Sequence, residues 1–426
     1  MLETVRKVAE RSGLNDWRIV EKTTVSHQAF FVKHKLDQHR ISNTTHTTLY
    51  IYVDREVNGR KMRGSAAHEI FPGTSEEEIA RSVETMKYNA SLALNPYYEL
   101  VKNEKQSEEK KDYDLLKVLR TVVTAIQSVK DTATEKINSY EIFANEYYYH
   151  IVNSQGVDVS FNTMDEEVEV IINSVDKGHE IELYHRVNFA DKPLNEITDG
   201  ILEVFRYAKD RTQATPTKKG NYTVLMTGSN NRRLLEYFMM KSSTGMVYRR
   251  FSQVKPGDVV QSGDDCDKLT IWARRELPYS SRNKPFSEEG LRAQDVIIME
   301  DGVYKNYWGD KTTAYYLGIE NITPANNFTV APGSLTVAEM KKDPYLEIIQ
   351  FSDFNVNPMT GTFGGEIRLA YWHDGEKVIP VTGGSMTADI SEVIKTIRLS
   401  RETEQYDYCL VPRTIRLLNV AISGEE

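Results

Sequence analysis

The chain has 426 residues, 40% of them apolar and 27% charged, with a net charge of −9. This length and balance describe a globular chain with room for two or three domains. They exclude a membrane-spanning helix, because no run of about 18 apolar residues occurs, and a disulfide framework, because Cys266 and Cys409 are the only cysteines. The acidic balance supplies no general attraction to nucleic acid.

The first stretch, "MLETVRKVAERSGL", has the spacing of an amphipathic helix and lacks the apolar core of a signal peptide. With so few cysteines, a cytoplasmic location is expected. Residues 29–70 read as strands, with a hairpin turn at Asn58-Gly59. Thr74 or Ser75 then caps a helix whose first turn carries Glu76 to Glu78. These elements make an α/β unit over 1–100. The run "KNEKQSEEKKD" at 102–112 reads equally as a solvated helix end or a linker. Residues 113–215 repeat the order helix, strands, helix without sequence identity to the first unit. They form a second α/β unit, which could share a domain with the first. Residues 216–426 change character: short strands and Gly/Pro turns dominate, with Asp-Gly hairpins at "EDGV" and "HDGE". Helices are expected near 230–242, 335–342 and 389–400. The fold class is therefore α+β: helices packed on sheets, then a β-rich domain built as a twisted antiparallel sheet or partly closed barrel.

Two His-Glu pairs invite a metal reading. In "GHEIELYH", His179 and His185 lie six residues apart. Two imidazoles on one zinc must approach within about 4 Å. On a helix this spacing turns the rings about 600° and lifts them roughly 9 Å. On a strand it separates them by roughly 20 Å. The alternation of Ile181 and Leu183 with Glu180 and Glu182 favours a strand, so the pair is coincidental. His68-Glu69 has no second histidine in reach, and Pro72 would break a helix there.

Other stretches have both a functional and a structural reading. "MKSSTG" offers Ser242, Ser243 and Lys241 as nucleophiles, but reads better as a helix end capped by Gly245. "FGGE" at 363–366 could admit a peptide backbone, or form a bulge where sheets meet. Tyr371, Trp372 and His373 read as hairpin packing, and "YYYH" at 147–150 as a half-buried strand.

Four stretches, in order, resemble the TldD/PmbA family, also known as modulators of DNA gyrase. They are "RGSAAHEI" with the helix after it, "PFSEEGLRAQDVIIMEDGVYKNYWGD", "VAPGSLTVAEM", and "NPMTGTFGGEIRLAYWHDGEKVIPV". The resemblance implies a peptidase system. TldD-type members carry zinc on a His-Glu-x-x-x-His helix with a C-terminal cysteine ligand. PmbA/TldE-type members lack that motif and serve as a partner subunit. Here the corresponding helix is "NNRRLLEYFMMK". Glu236 stands at the first His position, Tyr237 at the Glu position and Lys241 at the second His position. Tyr237 cannot act as a carboxylate base near pH 7. Lys241 is a poor ligand unless burial strips its proton. No histidine occurs between His185 and His373, and Cys409 stands too close to Pro412 to match the family's ligand. The resemblance thus implies a PmbA/TldE-like subunit with no catalytic residue, cofactor or metal of its own. It would form a heterodimer with a TldD-like chain, or a homodimer, and would handle extended peptides. The alternatives are a homodimeric peptide-binding scaffold, or a peptidase with a nucleophile other than zinc-bound water.

Overall fold

The structure is a computed structural model describing residues 1–425. The first 189 residues build one antiparallel sheet. Its elements are α1 (Leu2–Arg11), β1 (Asp16–Val32), β2 (Lys35–Val57), β3 (Arg60–Ile70), α2 (Glu76–Leu92), β4 (Leu94–Pro96), α3 (Leu115–Ser128), β5 (Glu135–Asn153), β6 (Asp158–Asp176) and β7 (His179–Phe189). The order is β4-β3-β2-β1-β5-β6-β7. The two helix–strands–helix stretches therefore lie side by side, joined where β1 pairs with β5 from Arg18↔Asn153 to Val32↔Ser139. The second stretch closes with α4 (Leu194–Thr212).

Period-two alternation sends neighbouring residues of each strand to opposite faces. Ile19 and Val152 pack with α1 and α2 in one core, while Val20 and Ile151 join Tyr149, Phe161 and Phe286 on the other face. Phe286 comes from the C-terminal half, so this second face is where the two halves meet. Ser75 caps α2 with a full capping box to Glu78. Asn58 and Gly59 both adopt positive φ, as a tight hairpin requires. Residues 102–112 form no helix. They run beside β6, with the Glu108 amide on the Ser160 carbonyl, and Glu104 and Glu108 hold Arg292.

The C-terminal half adds β8 (Thr215–Pro216), β9 (Gly220–Thr227), α5 (Ser229–Lys241), α6 (Thr244–Tyr248), β10 (Ile271–Arg274), β11 (Val296–Glu300), β12 (Val303–Tyr304), α7 (Lys311–Tyr316), β13 (Asn327–Val330), α8 (Val337–Met340), β14 (Tyr345–Phe351), β15 (Asn355–Val356), β16 (Thr362–His373), β17 (Val378–Thr382), β18 (Ser385–Asp389), α9 (Ile390–Val393), β19 (Arg398–Leu399), β20 (Thr403–Tyr406), β21 (Cys409–Pro412) and β22 (Thr414–Ser423). A ring closes through β14-β9-β22-β18-β16 and back to β14, giving a five-stranded barrel. It is not wholly antiparallel, since β9 runs parallel to β14. A six-stranded sheet, β12-β11-β10-β13-β21-β20, shares one apolar core with the ring.

Two local expectations are corrected and one open alternative is decided. Gly245 is not the cap of α5. That helix ends at Ser242 with φ −92°, and Gly245 lies inside α6, which Ser243 caps. The Trp308 indole donates to the Met239 carbonyl at 2.7 Å, so the open helix end needs no left-handed residue. The helix expected over 389–400 shrinks to α9, because Arg398 and Leu399 are drawn into pairing with β22. At "FGGE" the chain's own backbone fills the space. A Cβ on Gly364 would lie 2.1 Å from the Met386 carbonyl oxygen, and one on Gly365 2.6 Å from that of Asp353.

Candidate functional site

β9 leaves the barrel, turns at Gly228 (φ +71°) and enters α5, the helix that carries Glu236, Tyr237 and Lys241. Leu234, Leu235, Phe238 and Met239 anchor its inner face in the core. Asn231, fully buried, donates to the carbonyls of Pro412 (3.2 Å) and Arg413 (2.9 Å), fixing the helix against the β21–β22 junction.

The outer face splits into two rows at helical i,i+4 spacing. One row, Arg232 and Glu236, meets the β20–β21 turn. Arg232 donates to the Tyr408 oxygen at 2.5 Å, and the Tyr408 hydroxyl donates to Glu236 at 3.0 Å. Arg282 stacks on the Tyr408 ring at 3.6 Å, a cation–π contact. Asp407 accepts from the Ser281 amide and hydroxyl, both at 2.9 Å, which pins the loop bearing Arg282. Burial pushes the Tyr408 hydroxyl up to about 12; the two arginines oppose the shift and Glu236 adds to it. Tyr408 is thus a neutral donor near pH 7. Behind it, Cys409 is buried and its thiol is pushed up to about 12, chiefly by burial, with Glu236 contributing.

The other row, Arg233, Tyr237 and Lys241, meets the loop before β16. Arg233 donates to the Phe354 carbonyl and Lys241 to that of Met359, the latter at 3.3 Å. Tyr237 lies so close to Gly361 that a Cβ there would meet its hydroxyl at 3.2 Å. Burial lowers the Lys241 pKa. The structure therefore brings Tyr237 and Lys241 together and sends Glu236 to a different neighbour. Each is held by protein partners, and the three do not converge on a common point. They do not fit a zinc ion. Among the described residues, no three His, Cys, Asp or Glu side chains group as metal ligands.

The remaining candidates are structural in their surroundings. Ser242 is fully buried and donates to the Met239 carbonyl at 2.9 Å, while Ser243 caps α6. His179 and His185 stand on β7 opposite Asp176 and Val170. Tyr371 donates to Asp210 at 2.5 Å, and His373 packs on Tyr345. Arg232, Arg282, Asp407 and Tyr408 escape a linear reading, because residues up to 176 apart along the chain make that cluster. The one signal was the basic "SRNK" before the Pro-Phe turn.

In the C-terminal half, a strand of the five-stranded barrel thus feeds a helix held between two loops. Residues 219–424 match the family model described as "PmbA/TldA metallopeptidase C-terminal domain". The uncharacterized protein MJ0231 of Methanocaldococcus jannaschii is 24% identical over 358 residues, covering 78% of this chain and 82% of that protein. A "Metalloprotease PmbA homolog" of Haemophilus influenzae is 23% identical over 205 residues, 45% of this chain and 43% of that protein. The crystal structure of TldE from Thermococcus kodakarensis superposes with a TM-score of 0.77 at 14% identity, covering 99% of this chain and 100% of that one. The C-terminal half thus matches a PmbA/TldA-type domain, and the chain as a whole shares the fold of TldE.

Proposed function

We propose that this chain is a PmbA/TldE-like, non-catalytic subunit of a TldD-type zinc metallopeptidase system in the cytoplasm, acting on unfolded or extended peptides. The observation that carries the reading is α5 itself. Glu236 is held by Tyr408, Lys241 by the Met359 carbonyl, and Tyr237 lies against Gly361. Such a helix offers no metal-activated water and no base to use one. Its place is complementary to a partner that supplies both. Peptide would be held by backbone pairing at a sheet edge, which reads no side chains. Residues 35–46 of β2 extend beyond β3, whose pairing begins at Thr47↔Ile70, and leave such an edge open.

The test is co-purification with a TldD-like chain, followed by peptide hydrolysis. The isolated chain should not cleave unfolded peptide. A one-to-one complex should cleave it, and chelation should abolish that activity. Robust chelator-resistant turnover by the isolated chain, lost on changing Lys241, Ser242 or Ser243, would overturn the reading. No complex and no turnover with any TldD-like chain would leave the homodimeric scaffold in its place.

A further inference from the structure

The loop 279–285 has a second side. Arg282 and Ser281 face the α5 cluster, while Tyr279, Ser280, Asn283 and Lys284 line a cavity of about 610 Å³ between this loop, β6 and residues 108–113. That volume falls within the roughly 300–1,000 Å³ of pockets that hold small ligands. Nothing in the metallopeptidase reading uses it.

The charges around the cavity are mostly matched. Arg275 pairs with Glu108 at 2.6 Å, and Lys111 with Glu276 at 3.3 Å. Lys284 differs. It forms part of the wall of this cavity and of a second one of about 220 Å³ beyond it. Its ammonium has three N–H donors. The partner found for them is the Tyr149 hydroxyl at 3.2 Å. Glu288 and Asp165 act on it through space, Arg282 opposes them, and no carboxylate forms an ion pair with it among the described residues. Asp165 is itself committed to Asn145 and Tyr147. A partly desolvated ammonium without a counter-charge is costly unless a ligand supplies one. The exposed rim leans the other way: Asp191, Glu109 and Lys110 line it without an ion-pair partner among the described residues, two carboxylates against one ammonium. Tyr279, beside the cavity, is held at φ +55° by a hydrogen bond from the Ala190 amide to its carbonyl at 2.8 Å. A bulky residue in that region is strained, and such strain gathers at binding sites.

We propose that this cavity binds a compact zwitterion, a free amino acid or a dipeptide. Its carboxylate rests on Lys284 and its ammonium lies toward Asp191. One inner cation suits a single carboxylate, and the acidic rim disfavours a polyanion such as a phosphate ester. The site lies in the isolated chain, so it stands or falls separately from the partner-subunit reading.

The test uses the full chain and six probes by isothermal titration calorimetry: Ala-Tyr, its C-terminal amide, its N-acetyl form, inorganic phosphate, free alanine and a pentapeptide. Ala-Tyr should bind, and the amide at least tenfold more weakly. Lys284→Met should abolish that difference, and Asp191→Asn should weaken Ala-Tyr while leaving N-acetyl-Ala-Tyr unchanged. Thermal unfolding of each variant checks folding; should Lys284→Met fail to fold, Lys284→Gln replaces it. Free alanine separates the amino acid from the dipeptide as the source, and a pentapeptide, whose two charges lie far apart, should bind more weakly than Ala-Tyr; a pentapeptide that binds as tightly would overturn the compact-zwitterion assignment. Absence of Ala-Tyr binding, equal binding of acid and amide, tighter phosphate binding, or full affinity in a folded Lys284 variant would each overturn the proposal.

Discussion

Replacing Arg63 with methionine should destabilise the N-terminal sheet severely, and more at neutral pH than in acid. Arg63 is 1% exposed, on β3, one strand in from the edge of the first sheet. Its guanidinium donates to both carboxylate oxygens of Asp54 (2.7 and 3.0 Å), to the Tyr98 carbonyl (2.8 Å) and to Asp16. Asp16 is itself buried. Methionine fills most of the volume but takes the guanidinium from two carboxylates and a carbonyl; Asp16 keeps Ser154 (3.1 Å) and Gln155 (2.5 Å), and Asp54 keeps only Lys61 (3.3 Å) as a charged partner among the described residues. Breaking a buried pair this way costs about 3–5 kcal/mol. Over a cooperative unit of roughly 200 residues that is about 10 °C in melting temperature. Burial pushes Asp54 up, but the hydrogen bonds and charge of Arg63 hold it below its ordinary value. In the native protein this pair therefore stabilises above the unfolded aspartate pKa, and the contribution is lost as pH falls through the lower folded value. In the variant the desolvated Asp54 carboxylate loses most of what held its pKa down and gains by protonation instead. The deficit between the two proteins should shrink from pH 7 to pH 4. Lysine at 63 should rescue only part, since a point charge cannot reach four acceptors in a plane. Thermal unfolding followed by circular dichroism, at several pH values, measures this. A loss below about 1 kcal/mol, or a deficit that grows in acid, would refute the reasoning.

Glu166 is 1% exposed and burial raises its pKa to about 8. Its protonated form contributes fully below the ordinary glutamate value of about 4.5, and the contribution is lost progressively as pH rises from there to about 8. Glu166→Gln should thus be more stable than the native chain at pH 9 by about 2–4 kcal/mol and nearly equal at pH 5, as urea titrations would show. Cys409, with its thiol pushed up to about 12, should resist a thiol reagent at pH 8 until the chain unfolds, and rapid labelling of native protein would contradict its burial. Elemental analysis should find far less than one zinc per chain; stoichiometric zinc lost on changing Glu236 would refute the assignment of α5. Gly364→Ala should cost several kcal/mol or prevent folding, because its Cβ would strike the Met386 carbonyl oxygen at 2.1 Å; melting within about 2 °C of the native chain would show that the strands can part.

Local rules determined much of this molecule. The capping box at Ser75, the Asn58-Gly59 turn, the strand through "GHEIELYH" and the helix carrying Glu236 all follow from periodicity and turn chemistry within a few residues. The position of Glu236, Tyr237 and Lys241 on that helix was also legible, through the stretches resembling the TldD/PmbA family. What the linear chain could not give is what those side chains face. Tyr408 meets Glu236 and Arg282 because β21 is brought against α5, and a loop more than a hundred residues earlier is pinned by Asp407. The end of α5 was decided by Trp308, and the fate of residues 398–399 by the open edge of β22. The same holds for the two glycines of "FGGE", which serve crossing strands, and for Lys284, whose missing counter-charge shows only once the cavity has walls. Propensity acts over a few residues, whereas desolvation, pairing and counter-charge depend on neighbours that only the closed barrel and its sheets bring together.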